Sequence, residues 1–91
     1  MKKLISKDEV GYSSEVVMHK GEKYKIVCSN GNAYSKLAIY VFVKDGGLSM
    51  LATEMDIPSY RHISYYSDSD VRLKMQYNNI LAAEDYIKKI F

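Results

Sequence analysis

Hydrophobic and polar residues alternate over residues 15–29 with the two-residue period of β-strands. The pair Gly21-Glu22 divides this segment, and glycine at the first central position of a two-residue loop predicts a type II′ hairpin turn. The implied register pairs Val17 with Ile26. The face that we expect to point into the core carries Val17, His19, Tyr24, Ile26 and Cys28. The opposite face is partly exposed and basic, and carries Val16, Met18, Lys20, Lys23, Lys25 and Val27.

The clearest hairpin signal lies at residues 37–53, where Asp45-Gly46 separates two apolar runs. Both residues accept the positive φ that a type I′ turn requires. The pairs predicted on one apolar face are Val43 with Leu48, Val41 with Met50 and Ile39 with Ala52. The other face is apolar too, with Tyr40, Phe42 and Leu51. We therefore expect this strand pair to be covered on both sides and to lie centrally in the sheet.

The segment after Pro58 leaves two interpretations open. Residues 61–66 and 71–77 flank a polar loop, and the alternation over 71–77 predicts a third hairpin. Its outer face would carry Arg61, Ile63, Tyr65, Arg72 and Lys74. The alternative extends the C-terminal helix back to Val71, because the apolar residues are also close to helical spacing. We favour a strand over residues 71–77 and a helix that begins after it.

The C-terminal segment predicts a helix capped by Asn78 or Asn79. Its apolar stripe consists of Ile80, Ala83, Ile87 and Ile90. The i,i+4 ion pairs expected on its surface are Glu84 with Lys88 and Asp85 with Lys89. The pattern as a whole predicts an α+β fold in which residues 1–91 form a single domain. We expect an antiparallel sheet of five or six strands, built from hairpins, with the C-terminal helix packed on one face.

Composition and charge exclude several classes of protein. The chain of 91 residues is 47% hydrophobic and 26% charged, which excludes a disordered tail. Its net charge of +2 is too slight to predict binding to duplex DNA or to a membrane. A single cysteine, Cys28, rules out an internal disulfide and predicts a reducing, cytoplasmic compartment. The apolar run near Met1 ends too early for a signal peptide, and no stretch approaches the length of a membrane span.

Candidate catalytic and metal-binding residues are sparse. His19 and His62 have no second His or Cys at ligand spacing, and Cys28 has no Cys-x-x-Cys partner. In the predicted register, His19 lies roughly 13 Å from Cys28, too far for a hydrogen-bonded nucleophile and base. The glycines mark turns and lack the spacing of a phosphate-binding loop. We therefore expect no catalytic residue, no metal and no cofactor, and a protein that is not an enzyme.

The surface of the third hairpin is the site that we predict for a partner. Its partner-binding residues are Arg61, Tyr65, Arg72 and Lys74. Tyrosine and arginine are enriched in protein interfaces because each covers much area and carries a polar tip. We expect a small protein-binding module or inhibitor of the type that phages and mobile elements encode. Cross-strand Tyr–Arg pairs also stabilise exposed sheets without any partner, which is the competing interpretation.

Two further functions stay open at this point. Aromatic residues among basic residues on a sheet can stack unpaired bases, so the alternative function is binding of single-stranded nucleic acid. Its phosphate contacts would be Lys20, Lys23 and Lys25. Self-association into a homodimer through the same face or an edge strand is the third hypothesis.

Overall fold

A computed structural model describes residues 12–31, 34–64 and 66–91 of the chain. The elements in these ranges are β1 (Tyr12–His19), β2 (Glu22–Gly31), β3 (Tyr34–Phe42), β4 (Leu48–Thr53), a short 3-10 helix (Glu54–Asp56) and α1 (Ser69–Ile90). The strands form an antiparallel sheet in the order β1-β2-β3-β4, and α1 packs against one face of it. The α+β class is therefore confirmed. The sheet has four strands in the described ranges, not the five or six that we predicted.

The first hairpin turns at Lys20-Gly21, one residue earlier than predicted. Lys20 has φ 51° and Gly21 has φ 80°, and two positive values in succession define a type I′ turn rather than type II′. Val17 consequently pairs with Tyr24 and not with Ile26. The register differs from the prediction by two residues, and a shift of two keeps every side chain on its expected face.

The connection between β3 and β4 is a three-residue loop of Lys44, Asp45 and Gly46. The Val43 N–H donates to the Gly47 carbonyl at 3.0 Å, and the Gly46 N–H donates to the Val43 carbonyl at 3.0 Å. Gly46 has a positive φ of 88°, whereas Asp45 does not, so the predicted type I′ turn at Asp45-Gly46 is wrong. The geometry matches a type I turn closed by a left-handed glycine.

The extra loop residue turns the side chains of residues 48–50 to the face opposite to the predicted one. The observed pairs are Phe42 with Leu48, Tyr40 with Met50 and Ile39 with Ala52. The last of these pairs was predicted. The predicted pairs of Val41 with Met50 and of Val43 with Leu48 are wrong. Leu51 is the extra residue of a β-bulge between the two registers, and Leu48 and Met50 point away from α1. β4 is thus an edge strand that is covered on one side, not a central one.

The helix α1 includes residues 71–77, so the predicted third hairpin is wrong and the longer helix that we weighed against it is correct. The buried residues of α1 follow helical spacing: Gln76, Asn79, Ile80, Ala83 and Ile87. The two predicted ion pairs form, Glu84 with Lys88 at 3.3 Å and Asp85 with Lys89 at 3.1 Å. Asn78 and Asn79 lie inside the helix and do not cap it.

The core lies between α1 and the sheet face that carries Val17. Its buried apolar residues are Val17, Tyr24, Ile26, Cys28, Leu37, Ile39, Ala52, Ile57, Ile80, Ala83 and Ile87. Two buried polar side chains fix the position of the helix. Gln76 Nε2 donates to Ser13 Oγ of β1 at 2.9 Å. The Asn79 side chain accepts from the Arg61 N–H and donates to the Arg61 carbonyl, both at 2.9 Å. We call the two hydrogen bonds between Asn79 and the Arg61 backbone the Asn79 clamp. They hold the segment before α1 against the helix.

Candidate binding surface

The predicted partner-binding residues do not lie on a third hairpin in the structure. Arg61 lies in an irregular segment and is exposed, whereas Arg72 and Lys74 belong to α1. Residues two apart on a helix point in directions about 200° apart, and accordingly Lys74 is exposed while Arg72 is half-buried. The fourth residue, Tyr65, lies outside the described residues. Without the third hairpin, the sheet face on which that prediction rested does not exist.

The surface that the structure offers instead is the sheet face opposite α1. Cross-strand pairing arranges it in three rows, each read from β1 to β4: Ser14, Val27, Ala38, Thr53; Val16, Lys25, Tyr40, Met50; and Met18, Lys23, Phe42, Leu48. We call these residues the open face. Among the described elements, none packs on it.

Large aliphatic side chains line both edges of the open face. Their exposed fractions are Val16 50%, Met18 62%, Leu48 44% and Met50 55%. Such values lie far above those of the core and are unfavourable for contiguous apolar side chains in water. From strand and row spacings, the open face covers roughly 400 Å² in projection. Its two aliphatic edges are the apolar part of this area, and apolar patches of a few hundred Å² are often functional.

Two lysines lie on β2, between the aliphatic edges. Lys23 Nζ is 4.8 Å from the centroid of the Phe42 ring, a cation–π contact that covers one side of this ring. Lys25 is half-buried between Val16 and Tyr40 in the next row. Lys20 is exposed in the adjoining turn. The structure thus places the three lysines that we predicted as phosphate contacts at or beside the open face.

One end of the open face is concave. A shallow depression of about 330 Å³ is lined by residues that include Val27, Lys36, Ala38, Tyr40, Met50 and Thr53. Its rim is fixed by Glu54, whose Oε1 accepts a hydrogen bond from the Leu37 N–H at 3.1 Å. The depression offers space beside Met50 for a side chain of a partner.

A second depression, of about 280 Å³, lies between α1 and the segment after the 3-10 helix. Its lining includes Ile57, Pro58, Tyr86 and Ile90. The charged groups at this place, Asp85 and Lys89, form an ion pair with each other at 3.1 Å. They therefore contribute little charge selectivity, and the open face is the stronger candidate.

The Cys28 side chain points from β2 into the core, away from the open face. Burial raises the pKa of the Cys28 thiol to about 12, which suppresses the thiolate that a nucleophile would need. With His19 opposite Glu22 in the observed register, His19 and Cys28 are roughly 20 Å apart along the strands, farther than predicted. In the described part of the chain, no three His, Cys, Asp or Glu side chains are grouped to hold a metal ion.

Comparisons with known proteins were made for the whole chain. No family model, no curated protein and no solved structure matches the chain. A separate observation concerns membranes: in the ranges that the structure describes, the helices lack an apolar stretch sufficient to cross a lipid bilayer.

Sequence reasoning assigned the β1 and β2 part of the open face correctly. The alternation in β1 and β2 put Val16, Met18, Lys23 and Lys25 on a basic, partly exposed face. It missed Leu48 and Met50, which were expected in the core. No residue of Asp45-Gly46-Gly47 distinguishes the two loop lengths, because the predicted type I′ turn and the observed three-residue loop both have a left-handed glycine at position 46.

Proposed function

We propose that the protein is a non-enzymatic binding module whose open face contacts another protein. The observation that carries this proposal is the set of exposed aliphatic side chains at both edges of a regular sheet: Val16, Met18, Leu48 and Met50. Methionine and aromatic residues are enriched where proteins meet, because they cover area and adapt to a partner's shape. A face of roughly 400 Å² is half of the area of about 800 Å² that each partner buries in a standard complex, so we expect a small, transient interface.

Inhibition is the form of this function that we propose. A chain of 91 residues that binds through one face acts on its partner by covering it, as do the small inhibitors encoded by phages and mobile elements. The lone buried Cys28 supports a reducing, cytoplasmic setting for this interaction.

Single-stranded nucleic acid is the second candidate partner. Lys23 and Lys25 beside Tyr40 and Phe42 supply cations and aromatic rings on a sheet, which is the chemistry of base-stacking platforms. Two features favour a protein over a nucleic acid. Both rings are half-buried, and Lys23 covers a side of Phe42 that a base would need. The aliphatic edges also offer nothing to phosphates or to the stacking of bases.

Site-specific photo-crosslinking in cells tests the proposal. A benzoylphenylalanine is introduced in place of Met50, and in a second variant in place of Met18. The matched control replaces Met55, which is 89% exposed but lies in the 3-10 helix outside the open face. We expect a discrete protein adduct from Met50 and Met18 that the Met55 variant lacks.

The other outcomes each decide against the proposal. An adduct that nuclease removes would identify nucleic acid, the second candidate, as the partner. An adduct between two copies of this chain would identify the open face as a homodimer interface. Equal labelling from the open face and from Met55 would mean that the open face has no preferred partner.

A further inference from the structure

The lysines of the open face are placed where a partner must cover them. Lys25 lies on β2 with Val16 on one side and Tyr40 on the other, and Met50 ends the same row. A partner that contacts both Val16 and Met50 spans about 14 Å across the four strands and passes directly over Lys25. Lys25 therefore lies within the contact area rather than at its rim.

Among the described residues, the open face contains no acidic side chain that could compensate these cations. Glu15 and Glu22 lie on the opposite side of the sheet by their register positions, and Asp45 lies in the β3–β4 loop. Glu54, at the edge of the depression, already accepts a hydrogen bond from Leu37. Covering Lys23 and Lys25 with apolar groups alone would remove water from two charges without compensation, which is unfavourable. A partner that covers this face can supply the compensating carboxylates.

A second copy of this chain does not supply this compensation. Stacking two open faces against each other brings Lys23 and Lys25 of both copies into one interface, and like charges across an interface disfavour it. An acidic surface supplies the opposite charge and can also present apolar side chains to Met18 and Met50.

From this complementarity we infer that the partner presents an acidic protein segment, with apolar side chains for the aliphatic edges and carboxylates for Lys23 and Lys25. This inference rests on the proposed function, because it specifies the chemistry of the protein that the open face binds. Carboxylates on the partner steer its approach and fix its orientation over β2, while the aliphatic edges hold it.

Selection from a displayed library of random twelve-residue peptides tests the inference and does not require the natural partner to be identified first. The full chain is the bait, and peptides that bind it are sequenced and synthesised. We expect peptides enriched in Asp and Glu next to apolar residues. Their Kd should rise at least tenfold for Lys25→Glu and less than twofold for the matched reversal Lys74→Glu, which lies on the exposed side of α1. Lys25→Gln serves as a milder variant, and thermal melting verifies that all variants fold.

Charge exchange provides the decisive comparison. Replacing the critical acid of a selected peptide by lysine should weaken its binding to the wild-type chain and restore its binding to Lys25→Glu. Selected peptides without acidic enrichment, or an unchanged Kd for Lys25→Glu, would overturn the inference. Met50→Asp separates the two proposals: if it abolishes binding while Lys25→Glu does not, the protein-binding function stands and the acidic partner is wrong. Binding of a twenty-residue thymidine oligonucleotide at about 50 mM salt that exceeds that of every peptide would overturn both.

Discussion

The Asn79 clamp provides the sharpest test of the fold, because the helix offers its own control. Asn79 is 1% exposed and makes two hydrogen bonds of 2.9 Å to the backbone of Arg61. We expect Asn79→Ala to destabilise the protein, since it removes both bonds at once. The preceding residue, Asn78, is exposed in the same helix, so Asn78→Ala changes helix propensity equally and leaves the clamp intact.

The magnitude follows from the two bonds. Each contributes about 0.5–1.5 kcal/mol net, and the Arg61 backbone is only partly buried, so water can replace part of what is lost. We expect Asn79→Ala to have a free energy of unfolding about 2 kcal/mol below that of Asn78→Ala. For a domain of this size, that difference corresponds to a Tm lower by about 8–16 °C.

Urea unfolding followed by circular dichroism measures the difference, and amide hydrogen exchange locates it. In Asn79→Ala the Arg61 amide should exchange faster under native conditions, because its acceptor is gone. A difference between the two alanine variants below about 0.5 kcal/mol would refute the reasoning, and so would unchanged protection of the Arg61 amide.

Two further predictions concern Cys28 and the first turn. Because burial raises the pKa of Cys28 from 9.0 to about 12, the folded state keeps a proton that the unfolded state releases. Stability should therefore fall as the pH rises between 9 and 12, by up to about 1.4 kcal/mol per pH unit, and urea unfolding of Cys28→Val should show a shallower decline. Equal slopes for the two proteins would contradict this. Lys20 holds a left-handed φ of 51°, which asparagine adopts at lower cost, so Lys20→Asn should raise stability by about 0.5–1 kcal/mol in thermal melts. Lys44→Asn, at a loop position without positive φ, is the control, and an equal gain there would rule out relief of backbone strain.

The sequence predicted the faces of the first hairpin better than its register. A turn placed one residue too late shifts the pairing by two, and side chains in a strand repeat with a period of two. Val17, Tyr24 and Ile26 therefore point into the core as expected, although their partners differ. The same tolerance explains why Lys23 and Lys25 kept their predicted face.

The second hairpin shows the limit of that tolerance. A loop of three residues in place of two shifts the register by one, and a shift of one exchanges the faces. Leu48 and Met50 were consequently predicted in the core and are found on the open face. Local propensity favours Asp-Gly in both kinds of loop, so the loop length could not be decided from these residues alone.

The sheet face on which we predicted the partner site does not form, because it depended on one ambiguous segment. Residues 71–77 alternate like a strand, yet their apolar members also continue the helical stripe that leads to Ile80. Tertiary packing favours the helix over the strand in this segment, since Gln76 is buried against Ser13 of β1. Arg72 and Lys74 thus lie on a helix and not on the predicted sheet face.

The bulge at Leu51 has a consequence for how this chain can change in evolution. A deletion within a strand normally turns every residue beyond it to the wrong side. Here the pairs on either side, Ala52 with Ile39 and Met50 with Tyr40, would become consecutive rungs of a regular ladder if Leu51 were lost. Loss of this one codon would thus leave Leu48 and Met50 on the open face and would remove the bulge from the edge strand. Chain length is freer to vary at this position than the middle of a sheet ordinarily allows.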